Sequence, residues 1–179
     1  MVPALFVANY IIEYSNERNY EINNLKLQKL LYFINARCLL ENDVPIFEES
    51  FEKWKFGPVV PQVYHEYKGF GAFNIPKSDI VREKHTIDFG RNPFENNKLK
   101  ISTEYYDSND IQHKELIQST VDSLKGFTPF ELVENTHEQN IWKKDEERIR
   151  NGEKGIKYSN KEIKDFFEIH KEYQLWNEG

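Results

Sequence analysis

Apolar residues recur at helical spacing near the N-terminus. Ala4, Val7, Ala8, Ile11 and Ile12 fall on one side of residues 3–15 and predict a first amphipathic helix. Residues 24–41, "NLKLQKLLYFINARCLLE", predict a second helix of a different kind, with Asn23 or Asn24 as its cap. Placing successive residues about 100° apart sets Leu27, Leu30, Leu31, Ile34 and Cys38 on one face, and Leu25, Tyr32, Phe33, Ala36, Leu39 and Leu40 opposite them. Lys26 and Arg37 line one edge between the faces, and Gln28 and Asn35 the other. A helix that is apolar on two sides is packed on two sides, so this one is expected at the centre of the fold.

Residues 46–56, "IFEESFEKWKF", lack a sustained helical period and predict a short strand or extended segment. Gly57 to Pro61 then predict a turn. Val60 is pushed toward extended geometry by the proline after it, and Pro61 suits the first position of a short helix with Val60, Val63, Tyr64 and Tyr67 on its apolar face. Residues 72–109 predict a long variable excursion with one or two short strands, at "IVREKHTIDF" and "LKIS".

Helix returns over 110–125, with His113, Ile117, Thr120, Val121 and Leu124 on one side. "TPFE", residues 128–131, reads as a capping box with Pro129 in the first turn, and "SNKE", residues 159–162, repeats the device. Ile163, Phe166, Phe167 and His170 define the face of the helix behind it. The pattern predicts a mainly α, single compact helical domain over 1–179, with about six or seven helices, a small short-stranded β element and a C-terminal tail at 171–179.

Composition narrows the function. With 179 residues and 39% hydrophobic content the chain fits one globular domain. No apolar run approaches the roughly 20 residues of a membrane span, and "MVPALFVANYIIEYSNE" lacks the basic n-region of a signal peptide. Cys38 is the one cysteine, so no internal disulfide can form, and a cytoplasmic protein is expected. The net charge of −6 disfavours nucleic-acid binding, which rests on a basic surface. No helix-turn-helix with a basic recognition helix stands out.

Catalytic signatures are sparse. His65, His85, His113, His137 and His170 are scattered, and the chain contains no HExxH, no Walker A loop, no GxGxxG and no GxSxG. No metal and no cofactor is expected. Cys38, mid-helix on an apolar stripe, reads as an inert core residue. His137 with Glu134 or Glu138 offers the one hydrolase alternative, set against a plainer role in which His137 and Trp142 fix a helix corner. Near a helix C-terminus, His137 is expected to favour its protonated form. Gln28 and Asn35 are amides that need partners if buried, and loop anchoring would supply them.

Three blocks, "LKLQKLLYF" (25–33), "WKFGPVVPQVYHEYKGFG" (54–71) and "LVENTHEQNIW" (132–142), together resemble the Panacea domain, a SocA-like, phage-associated family of small bacterial proteins. The family pattern aligns with Trp54, Phe56, Gly57, Pro58, Pro61, Val63 and Tyr64, and then with Thr136, His137 and Trp142, with Ile141 where proline is usual. The resemblance implies a mostly helical, non-enzymatic antitoxin that binds a cognate toxin protein. The alternative it carries is a proteolytic adaptor that delivers a toxin to an ATP-dependent protease. On that basis Gln28, Trp54, Phe56, Gly57, Pro58, Val59, Pro61, Tyr64, His137 and Trp142 are the candidate motif or partner-binding residues, scaffold being favoured over contact. For the adaptor, the 72–109 excursion and the C-terminal "EYQLWNEG" are the candidate tethers, and Trp54 is expected to pack on the central helix.

Overall fold

The computed structural model describes residues 1–88 and 100–177. Helix α1 (Ala4–Glu17) buries Ala4, Val7, Ala8, Ile11 and Ile12, the stripe read from its periodicity, but also Leu5, Phe6, Asn9, Tyr10, Tyr14 and Ser15, so it is covered nearly all round rather than amphipathic. Helix α2 (Asn24–Asn42) starts where the Asn23 side chain accepts a hydrogen bond from the Lys26 amide at 2.9 Å. Leu27, Leu31 and Ile34 on one side, and Tyr32, Phe33 and Ala36 on another, have no exposed surface.

Strands β1 (Glu52–Trp54) and β2 (Gly57–Val59) form an antiparallel hairpin in which Trp54 pairs with Gly57. The tight turn is therefore Lys55–Phe56, and Gly57–Val59 belongs to a strand rather than to the turn expected over 57–61. Two residues suffice to reverse the chain because Gly57 adopts φ +86°, which a side chain would resist. The other edge of β1 is held by residues 156–158, through Lys53 N to Ile156 O at 2.7 Å and Tyr158 N to Phe51 O at 2.9 Å. Pro61 then opens α3 (Pro61–Tyr67), with Val60 extended ahead of it.

Within the 72–109 excursion, β3 (Glu83–Asp88) and β4 (Lys100–Tyr105) pair antiparallel, from Glu83 with Tyr105 to Asp88 with Lys100. The rest of that expectation, residues 89–99, lies outside the described residues. Helix α4 (Lys114–Leu124) buries Ile117, Thr120, Val121 and Leu124. His113 departs from the sequence reading: it precedes the helix, exposed, at φ 53°.

Thr128 and Glu131 close the expected capping box at the start of α5 (Pro129–Glu138). Short helices α6 (Asn140–Lys143) and α7 (Glu146–Arg150) follow, then α8 (Asn160–Ile169). At α8 the box is half made. Ser159 accepts from the Glu162 amide at 3.1 Å, but the Glu162 carboxylate turns to Lys53 and Lys144 instead of to the cap. Buried Lys53 also reaches Asp145 at 2.7 Å and the Ile141 carbonyl at 2.5 Å.

Helix α2 touches α1, α3, α4, α5, α8 and β2. The C-terminal segment joins this core rather than hanging free: Leu175 and Trp176 are buried, and the Trp176 ring lies 5.4 Å from Phe167 and 6.5 Å from Phe33. That docking corrects the tether reading of "EYQLWNEG" over its described part. His170 sits half-buried at the end of α8 with its ring 4.6 Å from Phe166. No helix among the described residues is long and apolar enough to cross a membrane.

Candidate functional site

The β1–β2 hairpin, with the second sequence block, is clamped from three sides by groups of the first and third blocks. From α2, the Gln28 side chain accepts from the Val60 amide at 2.9 Å while donating to Asn24 Oδ1 at 3.1 Å. One residue on, Lys29 Nζ donates to the Pro58 carbonyl at 2.9 Å. From α6, the Trp142 indole N–H donates to the Trp54 carbonyl at 3.1 Å. From α5, Thr136 sits so close to Gly57 that a Cβ built there would lie 2.4 Å from Thr136 Oγ1. Glycine at 57 is thus required twice, by backbone conformation and by space.

Buried polar groups knit the same corner. Tyr32 O–H donates to Gln139 Oε1 at 2.7 Å, tying α2 to the α5–α6 junction. The His137 ring stacks on Trp142, 4.0 Å between centroids and 18° between planes. Its Nε2 is buried and has no hydrogen-bond partner among the described residues. Burial, then the nearby Lys29 ammonium, lower the His137 pKa, against a pull upward from the Lys55 carbonyl. The expectation of a protonated His137 is therefore reversed: desolvation outweighs the helix dipole at this half-buried position. Lys29 has no exposed surface, and burial alone takes its amine from 10.5 down to about 7.

The outer surface of the corner is apolar and open. Phe56, at the hairpin turn, is 48% exposed and meets Phe130, 62% exposed, edge to face at 6.5 Å. On one side of Phe56 a cleft of about 450 Å³ is lined by Lys55, His137, Trp142, Glu146, Ile149 and Arg150. On the other, a groove of about 290 Å³ runs between α2, the hairpin and α3, past Leu25, Gln28, Trp54, Val59, Tyr64 and Lys68. Trp54 is half-buried and meets Tyr64 edge to face at 4.9 Å, with its indole N–H on Glu52 at 2.8 Å. It faces α3 and shares the groove with α2, so packing on α2 describes only part of its position.

All ten candidate residues fall in or beside this corner. Gln28, Gly57, Pro58, Val59 and Trp142 are buried; Trp54, Pro61, Tyr64 and His137 are half-buried; Phe56 is exposed. Sequence reading passed over Lys29 and Gln139 as parts of the site and Phe130 on its surface, and set Thr136 in the family pattern without counting it among the candidates. A signal for Lys29 was present, since it is the one charged residue on the stripe of Leu25, Tyr32, Phe33 and Ala36 at spacings of three, four and seven. The Gly57–Thr136 approach had none. Ile141, standing where relatives carry proline, is buried, and its carbonyl is taken by Lys53.

For chemistry the arrangement offers little. Glu134 and Glu138 are exposed, and no carboxylate among the described residues partners the buried His137 Nε2. Cys38 is buried, and burial raises its thiol pKa. No group of three or more His, Cys, Asp or Glu among the described residues is placed to hold a metal ion.

Comparison with known proteins matches residues 27–143 to the family described as antitoxin SocA-like, Panacea domain. The corner from Gln28 to Trp142 lies inside that match. The chain is also similar to Antitoxin SocA of Caulobacter vibrioides (strain NA1000 / CB15N), 40% identical over 90 residues, covering 48% of this chain and 48% of that protein. It therefore spans about half the length of the curated relative it matches. No solved structure matches the chain.

Proposed function

Since the chain belongs to the SocA-like Panacea-domain family, we propose that it is an antitoxin, neutralising a cognate protein toxin by direct binding and without catalysis. The observation that carries this reading is the corner itself. Its motif residues spend their hydrogen bonds on one another, Gln28 on Val60, Lys29 on Pro58 and Trp142 on Trp54, and present Phe56 and Phe130 outward. In this reading α2 is the central, two-sided helix on which the corner is assembled. Such a site holds a surface in shape for a partner; it does not gather reacting groups. A few exposed aromatic anchors typically carry the energy of such an interface.

The test is to express the reading frame beside this gene alone and then together with this chain. The neighbour alone is expected to arrest growth, and co-expression to restore it. A neighbour that is harmless when expressed alone would sink the antitoxin reading. A folded His137→Gln variant is expected to neutralise fully, and loss of neutralisation by it would instead favour the hydrolase reading.

A proteolytic adaptor remains the second reading, favoured by one observation. The β3–β4 hairpin exposes Ile101 at 62% and Tyr105 at 66%, apolar side chains that a protease could engage, whereas the C-terminal segment is packed away over Leu175 and Trp176. Toxin that stays abundant yet harmless during co-expression excludes the adaptor. Toxin that disappears when this chain is present supports it.

A further inference from the structure

The groove between α2, the hairpin and α3 has an apolar floor and a one-signed rim. Leu25, Trp54, Val59 and Tyr64 supply the floor. Its charged lining residues are Lys55 and Lys68, both exposed, and neither forms an ion pair among the described residues. The Glu52 carboxylate, on the same strand as Trp54, accepts from the Trp54 indole N–H at 2.8 Å. Two cations without a carboxylate partner among the described residues, Lys55 lying 5.7 Å from the Phe56 ring centre, stand beside an apolar slot in a chain whose net charge is −6.

The way the groove is built restricts how a partner can use it. Strand addition to β2 is blocked on the side of α2, because the Pro58 carbonyl and the Val60 amide are already bonded to Lys29 and Gln28. Recognition must then come from side chains. At about 290 Å³ the groove takes a large apolar side chain, not a folded element. We propose that this groove docks an apolar side chain of a partner protein flanked by carboxylates, the chain's floor covering the anchor and Lys55 and Lys68 pairing with the flanking acids. The partner is the toxin if the antitoxin reading holds, and on that reading this inference names the toxin's contact.

Two fluorescein-labelled hexapeptides with the same Leu-Trp centre, one flanked by glutamates and the other by lysines, test it by anisotropy. The intact chain is expected to bind the glutamate-flanked peptide about tenfold more tightly, and K55E/K68E to lose or invert that preference with its circular dichroism unchanged. Equal binding of the two peptides, no binding of either, or a preference that survives K55E/K68E overturns the proposal. In the co-expression assay K55E/K68E is expected to lose neutralisation. Full neutralisation by it overturns the groove as the toxin's contact while leaving the antitoxin reading standing. A harmless neighbouring gene removes the antitoxin reading instead, and the peptide titration still decides the groove's chemistry.

Discussion

Gly57 and Thr136 meet with no room for a side chain between them: a Cβ on Gly57 would lie 2.4 Å from Thr136 Oγ1, well inside van der Waals contact. The hairpin turn and helix α5 thus define each other's position, and the exposed Phe56 next to that contact inherits its placement from it. Gly57→Ala is expected to cost about 3 kcal/mol, from overpacking and from forcing a side chain to φ +86°. Thr136→Ala in the same chain should return roughly 1 kcal/mol of that. Urea unfolding of the two single variants and the double variant measures the coupling; strictly additive effects would show that the contact is not what requires glycine.

Lys29 gives stability an unusual dependence on pH. Its amine is lowered to about 7 in the folded chain from an ordinary 10.5. Between those values the unfolded chain holds a proton that the folded chain has released, so raising the pH favours the folded state, by at most ~1.4 kcal/mol per unit. From pH 7 to 8.5 the free energy of unfolding should therefore rise by roughly 1 to 2 kcal/mol. Lys29→Met should flatten that slope while leaving the Pro58 carbonyl without its donor. Urea titrations across the interval check both parts, and an unchanged slope in the variant would assign the pH dependence to other groups.

Lys53 is also buried, but among carboxylate partners. Removing it by Lys53→Met strips the cation from Asp145 and Glu162, and losses of ~3–5 kcal/mol are typical when one member of a buried pair is deleted. Burial pushes the Asp145 carboxyl up, but hydrogen bonds from Lys53 and Arg148 hold it below its ordinary 3.8. Its folded pKa being depressed, the stabilisation it contributes is present above 3.8 and disappears as the pH falls through the folded value. The deficit of Lys53→Met at pH 7 should accordingly shrink in strongly acid buffer, as read from thermal or urea midpoints.

Trp176 anchors the C-terminal segment against Phe33 and Phe167. Trp176→Ala is expected to destabilise the fold by about 3–5 kcal/mol, the usual range for emptying a buried aromatic site. Truncation after Gln174 should do the same. A truncated chain of unaltered stability would return this segment to the role of a free tether.

What could be read along the chain was what local physics decides. Helix starts at Asn23 and Thr128 follow from capping chemistry and the start at Pro61 from proline in the first turn, whereas a period of 3.6 residues picked out only part of what α1 and α2 bury, since Phe6, Tyr10, Lys26, Gln28 and Asn35 are buried off the faces it marked. The family blocks marked the corner residues without saying how they meet. Where local chemistry had a competing long-range partner, reading along the chain failed. Glu162 left its cap for Lys53 and Lys144, His137 lost its proton preference to burial, and Leu175 and Trp176 found the core. Only the tertiary structure decided that Lys29 would lie dry beneath Pro58, that Gly57 would press on Thr136, and that Phe56 would stand beside Phe130. Each of these joins groups distant in sequence, and desolvation and steric exclusion act on whichever atoms are neighbours in space.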